Sequence, residues 1–218
     1  MKALPLAKPK FITFEGVEGA GKTEILQRVA GRLSDLGVPH QVTREPGGTP
    51  LGTEIRRLLL DPSFSRLEPL AELLLYLADR VQHLHEVILP SLRAGQHVLS
   101  DRYHDATVVY QGYARGLGID WSDPLTLRLG IKKPDFTVLL DLPPEIGLER
   151  ARARNQLVRK ADRFDSAALE FHRLVREGYR RLASSEPDRF ILVDATPPPD
   201  VVYNNVAARL LPVLTSAG

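Results

Sequence analysis

Gly16-Val17-Glu18-Gly19-Ala20-Gly21-Lys22-Thr23 decides how the rest of this chain is read. The stretch fits the pattern G-x-x-x-x-G-K-[ST] and follows the apolar run Phe11-Ile12-Thr13-Phe14. A strand feeding a glycine-rich turn and then a helix is the setting in which this pattern cradles phosphate. The glycines let the backbone curl until successive N–H groups face phosphate oxygens. Lys22 would bring positive charge to the terminal phosphates, and the Thr23 hydroxyl is placed to ligate Mg²⁺. The helix opening near Lys22 adds its positive dipole end. All eight residues are therefore assigned to nucleoside triphosphate binding, which suits a kinase, a switch or a motor alike.

Outward from the loop, short apolar runs alternate with helical patterns. The strands are expected at Phe11–Phe14, Gln41–Thr43, Val98–Ser100, Thr137–Leu140 and Phe190–Val193. Helical patterns fall near 22–36, 52–60, 68–94, 123–130, 145–154, 166–184 and 200–211. Strands separated by helices pair in parallel through right-handed crossovers. The expected fold is α/β of the P-loop NTPase type: a five-stranded parallel sheet with helices on both faces. Residues 1–10 read as a disordered lead and 11–214 as one domain, with a lid segment at about 150–165.

Composition narrows the classes. With 43% hydrophobic and 26% charged residues, the chain has the make-up of a soluble globule rather than a disordered segment. It holds no cysteine, so disulfides and thiolate metal sites are excluded. The first ten residues lack the apolar core of a signal peptide, and no apolar run reaches membrane-spanning length. A cytoplasmic protein with no membrane partner is expected. The net charge of +2 and the absence of a known module argue against nucleic acid. The cations are mostly arginine, 22 against 7 lysines, and arginine grips phosphate with a planar fork.

Three segments stand out as functional loops: Arg44-Glu45-Pro46-Gly47-Gly48-Thr49, the run from Asp101-Arg102-Tyr103 to Gly118, and the basic stretch Arg150–Arg163. Ligands of parallel sheets sit beyond the carboxyl ends of the strands, where the first two fall together with the phosphate loop. Asp101 at a strand tip can hold Mg²⁺ or orient an attacking group, or it can cap the next helix. Asp141 at another tip competes for the metal but precedes a helix it could cap. Arg44, Arg56 and Arg102 lead from one sheet edge and would make an anionic pocket beside the triphosphate. Glu72, Tyr76 and Arg80 share one stripe of a helix. Tyr76 could lie against a base with Arg80 at the base edge, or the stripe could be core packing with an ion-pair ladder. The basic stretch is either a lid closing over phosphates or a solvated charged face.

Taken together, these pieces resemble thymidylate kinase, the family that converts dTMP to dTDP with ATP. The resemblance rests on Phe14–Thr23, Thr43–Thr49, Leu75–Arg80, Asp101–Tyr103, Tyr110–Gly112 and the arginine-rich lid, in family order over residues 11–165. It implies a nucleoside monophosphate kinase-like enzyme using Mg-ATP, and a homodimer packing apolar helices such as 68–89. It implies that Glu18 contacts the 3′-hydroxyl of dTMP, that Tyr76 stacks on thymine, and that Arg80 reads the base. Gln111 would lie beside thymine, Tyr103 would crowd a ribose 2′-hydroxyl, and Arg44, Arg102 and Arg56 would lie near the dTMP phosphate. Gly19 stands where other members carry an arginine, so the resemblance is to bacterial enzymes with the catalytic arginine in the lid: Arg154, Arg159 or Arg163. The expected catalytic set is those three with Lys22, Glu18, Asp101 and Arg102, and the metal is expected at Thr23 and Asp101. Glu24 departs from the family's Thr or Ser, and Asp79 would weaken the grip of Arg80 if it turned inward. A slow GTPase switch is the rival from another class. It would need Asn-Lys-x-Asp and Asp-x-x-Gly, and neither occurs. A kinase of another small acceptor, such as AMP or shikimate, fits the Tyr76, Arg80 and Arg44 positions less well.

Overall fold

A computed structural model describes residues 8–64, 66–158 and 168–216, apart from the side chains of residues 123 and 154–158. Five strands form one all-parallel sheet in the order β2-β3-β1-β4-β5: β1 is Phe11–Glu15, β2 His40–Arg44, β3 His97–Asp101, β4 Phe136–Asp141 and β5 Phe190–Asp194. Each expected strand lies inside an observed one. Central parallel strands are buried on both faces, so they appear in sequence as short continuous apolar runs. β1 is the clearest case, with all five residues buried. Alternation along it feeds two cores. Ile12 and Phe14 join the larger apolar cluster, while Phe11 joins a smaller one with Leu73, Leu77, Leu84 and Ile88.

The helices that position the site are α1 (Lys22–Asp35), α2 (Pro50–Leu60), α3 (Pro69–His83), α7 (Pro144–Val158), α8 (Leu169–Ser185) and α9 (Pro199–Thr215). Between α3 and the short α4 (Leu89–Arg93), Leu84–Ile88 widens into a π-helical turn. Pro90 lies just beyond and has no N–H to donate, so a widened ladder ahead of it avoids a clash. Thr49 caps α2, its side chain accepting the Gly52 N–H at 2.9 Å, and Pro50 follows as the first helical residue. The short α6 is Ser122–Arg128.

One sequence expectation is corrected. The run after Tyr103 is helix: α5 is His104–Thr107 and continues as a π-helical segment, Val108–Ala114. The glycines of the run suggested a loop. Burial of Val108, Val109, Tyr110 and Gln111 overrides that weak local preference. Residues 1–7 lie outside the described part, and Lys10 already pairs with β3, donating its N–H to His97 Nδ1 and accepting from Val98 N–H.

Candidate active site

The loop between β1 and α1 takes positive φ at Gly16, Gly19 and Gly21. At Gly19 the requirement is spatial as well, since a Cβ there would fall 2.0 Å from the carbonyl oxygen of Gly147 on α7. No side chain fits at that position. Lys22 is buried, and its Nζ donates to the carbonyls of Gly16 (3.1 Å) and Val17 (2.8 Å). Burial, helped by the charge of Arg102, pushes its ammonium down to about 8. Phosphate oxygens would take over those bonds and hold the proton on. Thr23 donates its hydroxyl to Asp101 Oδ2 at 2.5 Å. Asp101 is thus tied to the phosphate loop and does not serve as a helix cap.

Arg102 follows β3 in a left-handed conformation, φ 70°, a region that costs about 1–3 kcal/mol for a residue with a side chain. Its Nη1 donates to Gly16 O at 3.2 Å and its Nη2 to Glu18 Oε2 at 2.9 Å, with the guanidinium over the Tyr110 ring. Arg56 bonds Pro46 O at 3.0 Å, and burial together with Arg44 lowers its pKa. Arg44, Arg56 and Arg102 do line one cavity of about 680 Å³ with Glu18, Gly19, Gly21, Lys22, Thr23 and Asp101. Gly16, Val17 and Ala20 of the loop are not among the residues that line that cavity.

The same cavity is also lined by Tyr76, Arg80, Tyr103 and Gln111. Arg80 is buried and almost fully engaged: Nε donates to Glu45 Oε2 (2.9 Å), and Nη2 to Tyr103 O (3.0 Å) and Thr107 Oγ1 (2.8 Å). Its Nη1 and the Tyr103 hydroxyl find no partner among the described residues. Glu45 also accepts from His83 Nδ1 at 2.9 Å, and His83 Nε2 meets Thr43 Oγ1 at 2.6 Å. Gln111 donates its amide nitrogen to Glu72 Oε1 at 2.7 Å. A carboxylate only accepts, so Glu72 fixes which way that amide faces. Asp79 does turn inward, toward the Gly47 N–H (3.2 Å), and Glu45 holds Arg80 instead.

Glu45 and Arg150 were missed as individual site residues. Glu45 sat inside a quoted motif without a role. Arg150 belonged to the basic stretch, but it lines the cavity and donates to Ala195 O (2.9 Å) and Thr196 O (3.1 Å). Asp141 is engaged away from the cavity, Arg176 donating to both its oxygens at 2.7 and 2.9 Å. The backbone of Arg154 lies on α7, but its side chain, with Arg159 and Arg163, lies outside the described residues.

The thymidylate kinase family model matches residues 14–206. The chain belongs to the thymidylate kinase family. It is 50% identical over 196 residues to a thymidylate kinase of Desulfovibrio desulfuricans, covering 88% of this chain and 90% of that one. It is also 50% identical over 201 residues to one of Deinococcus radiodurans, covering 92% and 95%. The crystal structure of thymidylate kinase from Ehrlichia chaffeensis superposes with a TM-score of 0.73 at 30% identity, over 94% of this chain and 99% of that one. Within the thymidylate kinase fold, one cavity therefore joins a phosphate loop to a pocket with an unsatisfied guanidinium nitrogen.

Proposed function

We propose that this enzyme transfers the γ-phosphoryl group of ATP to the phosphate of dTMP, giving dTDP for dTTP synthesis. The observation that carries the reading is the single cavity, lined by Lys22 and three arginines and also by Arg80, Gln111 and Tyr76. A nucleoside monophosphate bound across it would place its phosphate among Arg44, Arg56 and Arg102, beside the loop. An acceptor phosphate is already anionic, so no strong general base is required. The protein's work is alignment and charge neutralisation. Lys22 meets the transferring group, Arg102 the acceptor phosphate, and a lid arginine, Arg154, Arg159 or Arg163, supplies further positive charge. Glu18, held by Arg102, faces the sugar. Tyr76 packs on the base, Arg80 Nη1 and Gln111 read its edge, and Tyr103 excludes a 2′-hydroxyl.

Thr23 Oγ1 and Asp101 Oδ2 are hard oxygen donors at one point, which suits Mg²⁺ that takes one or two protein ligands and the rest from phosphate. Bound there, the ion would neutralise phosphate charge. Leu70 and Leu74 on α3 are each 58% exposed beside a groove lined by Leu117, Trp121 and Leu125, which supports a homodimer through this face. Light scattering on the eluted protein checks that, and a monomer at high concentration rejects it. Among the described residues no helix is long and apolar enough to cross a membrane, in keeping with a cytoplasmic enzyme.

ADP formation from Mg-ATP with dTMP, dUMP, UMP, AMP and shikimate offered singly tests the reading. A methyl group in an apolar pocket is worth about 1–3 kcal/mol, so dUMP should turn over at roughly a tenth of the dTMP efficiency and the others near background. ADP formation that needs no acceptor would instead favour a regulatory hydrolase.

A further inference from the structure

The phosphate-loop pattern begins at Gly16 and gives the residue before it, Glu15, no part. Glu15 ends β1 on the same face as Phe11 and Thr13, and it is fully buried. A carboxylate taken out of water needs donors. Oε1 accepts the Tyr103 N–H at 2.8 Å and Oε2 accepts the Tyr179 hydroxyl of α8 at 2.7 Å. Both donors bracket Arg102. Tyr103 is its neighbour in sequence, and the Tyr179 hydroxyl lies 3.4 Å from Arg102 Nη1 and accepts from it. Among the described residues Arg102 is the only non-glycine with positive φ.

We propose that Glu15 is a positioning residue of the phosphoryl-transfer centre. Through the Tyr103 amide and the Tyr179 hydroxyl, its carboxylate holds Arg102 in the left-handed turn, with the guanidinium between Gly16 O and Glu18. This inference rests on the reading in which Arg102 meets the acceptor phosphate.

The electrostatics supports the geometry. The charged and titratable groups acting on Glu15 are Arg102, Lys22, Asp105, Tyr110 and Tyr179. Asp105 is already matched by both terminal nitrogens of Arg189, at 2.7 and 2.9 Å. Arg102 is the strongest of the influences that keep Glu15 ionised. Burial still lifts Glu15 to about 7, with Asp105 adding to the rise. A group kept only for stability would be an expensive choice here, since a neutral side chain of the same shape avoids that cost. Below about pH 7 the carboxyl takes a proton and its hold on Arg102 weakens.

The experiment compares wild-type enzyme with Glu15→Gln by steady-state kinetics with Mg-ATP and dTMP across pH 5.5–8.5 (about three units, bracketing the Glu15 transition), and by thermal melting at pH 8. Wild type without dTMP-dependent ADP formation overturns the reading of the reaction, and this inference with it. With wild type active, Glu15→Gln should lower kcat/KM for dTMP roughly tenfold to a hundredfold, the cost of a displaced group. It should leave KM for ATP within about twofold and melt no lower than wild type at pH 8. The acid limb of the wild-type profile should shrink to that of the substrate phosphate. In an Arg102→Ala background the same substitution should cost nothing more. Unchanged kcat/KM in folded Glu15→Gln, or an equal loss in both backgrounds, overturns the proposal. If Glu15→Gln does not fold, Tyr179→Phe decides it. A loss that vanishes in the Arg102→Ala background supports the relay, and wild-type kinetics rejects it.

Discussion

Where the phosphates would lie, Lys22 donates to two carbonyls of its own loop, five and six residues away. At the base end, Arg80 reaches Glu45 across 35 residues, His83 reaches Glu45 across 38 and Gln111 reaches Glu72 across 39. Lys22 is held by carbonyls that an incoming phosphate can replace, whereas Arg102 of the same cavity is already tied across the fold to Gly16 and Glu18. The base end is cross-linked throughout before any ligand arrives, with one guanidinium nitrogen of Arg80 left over. Substituting Lys22 should therefore cost turnover without stability, and substituting Arg80 should cost both.

Lys22→Ala is the largest expected effect. Removing a preorganised cation from a transferring phosphoryl group should slow ADP formation roughly a thousandfold, about 4 kcal/mol. The melting temperature should not fall, because the variant also removes an ammonium that burial already pushes down to about 8. Full turnover in folded protein would break the assignment of this end. Arg80→Met comes next. It strips Glu45, only 2% exposed, of its permanent positive partner. Leaving a buried charge uncompensated costs about 3 kcal/mol, to be read from urea unfolding. KM for dTMP should rise roughly tenfold while KM for ATP stays put. An Arg80→Met protein as stable as wild type would mean that the base end is not cross-linked in the way its distances indicate.

The same contrast explains what could be read from sequence. The phosphate loop is eight contiguous residues, and the sheet is five apolar runs whose burial on both faces erases polar alternation. Both are local patterns. Glu45 is adjacent to Arg44 in the chain, yet its role depends on Arg80 and His83 from another helix, and no spacing rule reaches that far. Asp141 looked like a helix cap because Pro143 and Pro144 follow, but its forked bond comes from Arg176. The helix His104–Ala114 hid behind the glycines of its run, since tertiary burial decided a segment whose own preference was weak. Glu15 was invisible for a related reason: it borders the motif but contacts residues 88 and 164 positions away.

Asp79 sharpens the comparison on the smallest scale. Its Oδ1 accepts the Gly47 N–H, and Gly52 leaves it room, since a Cβ there would lie 2.1 Å from that oxygen. Burial, and then the like charge of Glu45, raise its carboxyl to about 6. A folded-state value above the ordinary 3.8 means that the folded protein holds this proton more tightly than the unfolded chain. Its stabilising contribution is complete below about pH 4 and is lost as pH climbs through about 6. Asp79→Asn keeps an acceptor for Gly47 and removes the charge. It should gain about 2 kcal/mol at pH 8 and nothing near pH 4, read from urea unfolding at both. A gain of equal size at both values would mean better packing rather than charge. A loss at pH 8 would mean that the Gly47 loop needs a full carboxylate to stay docked on α3. In that case the Gly47 turn is held by a charge where the hydrogen bonds of Lys22 go to neutral carbonyls, and the contrast between Lys22 and the base end is sharper than the distances alone convey.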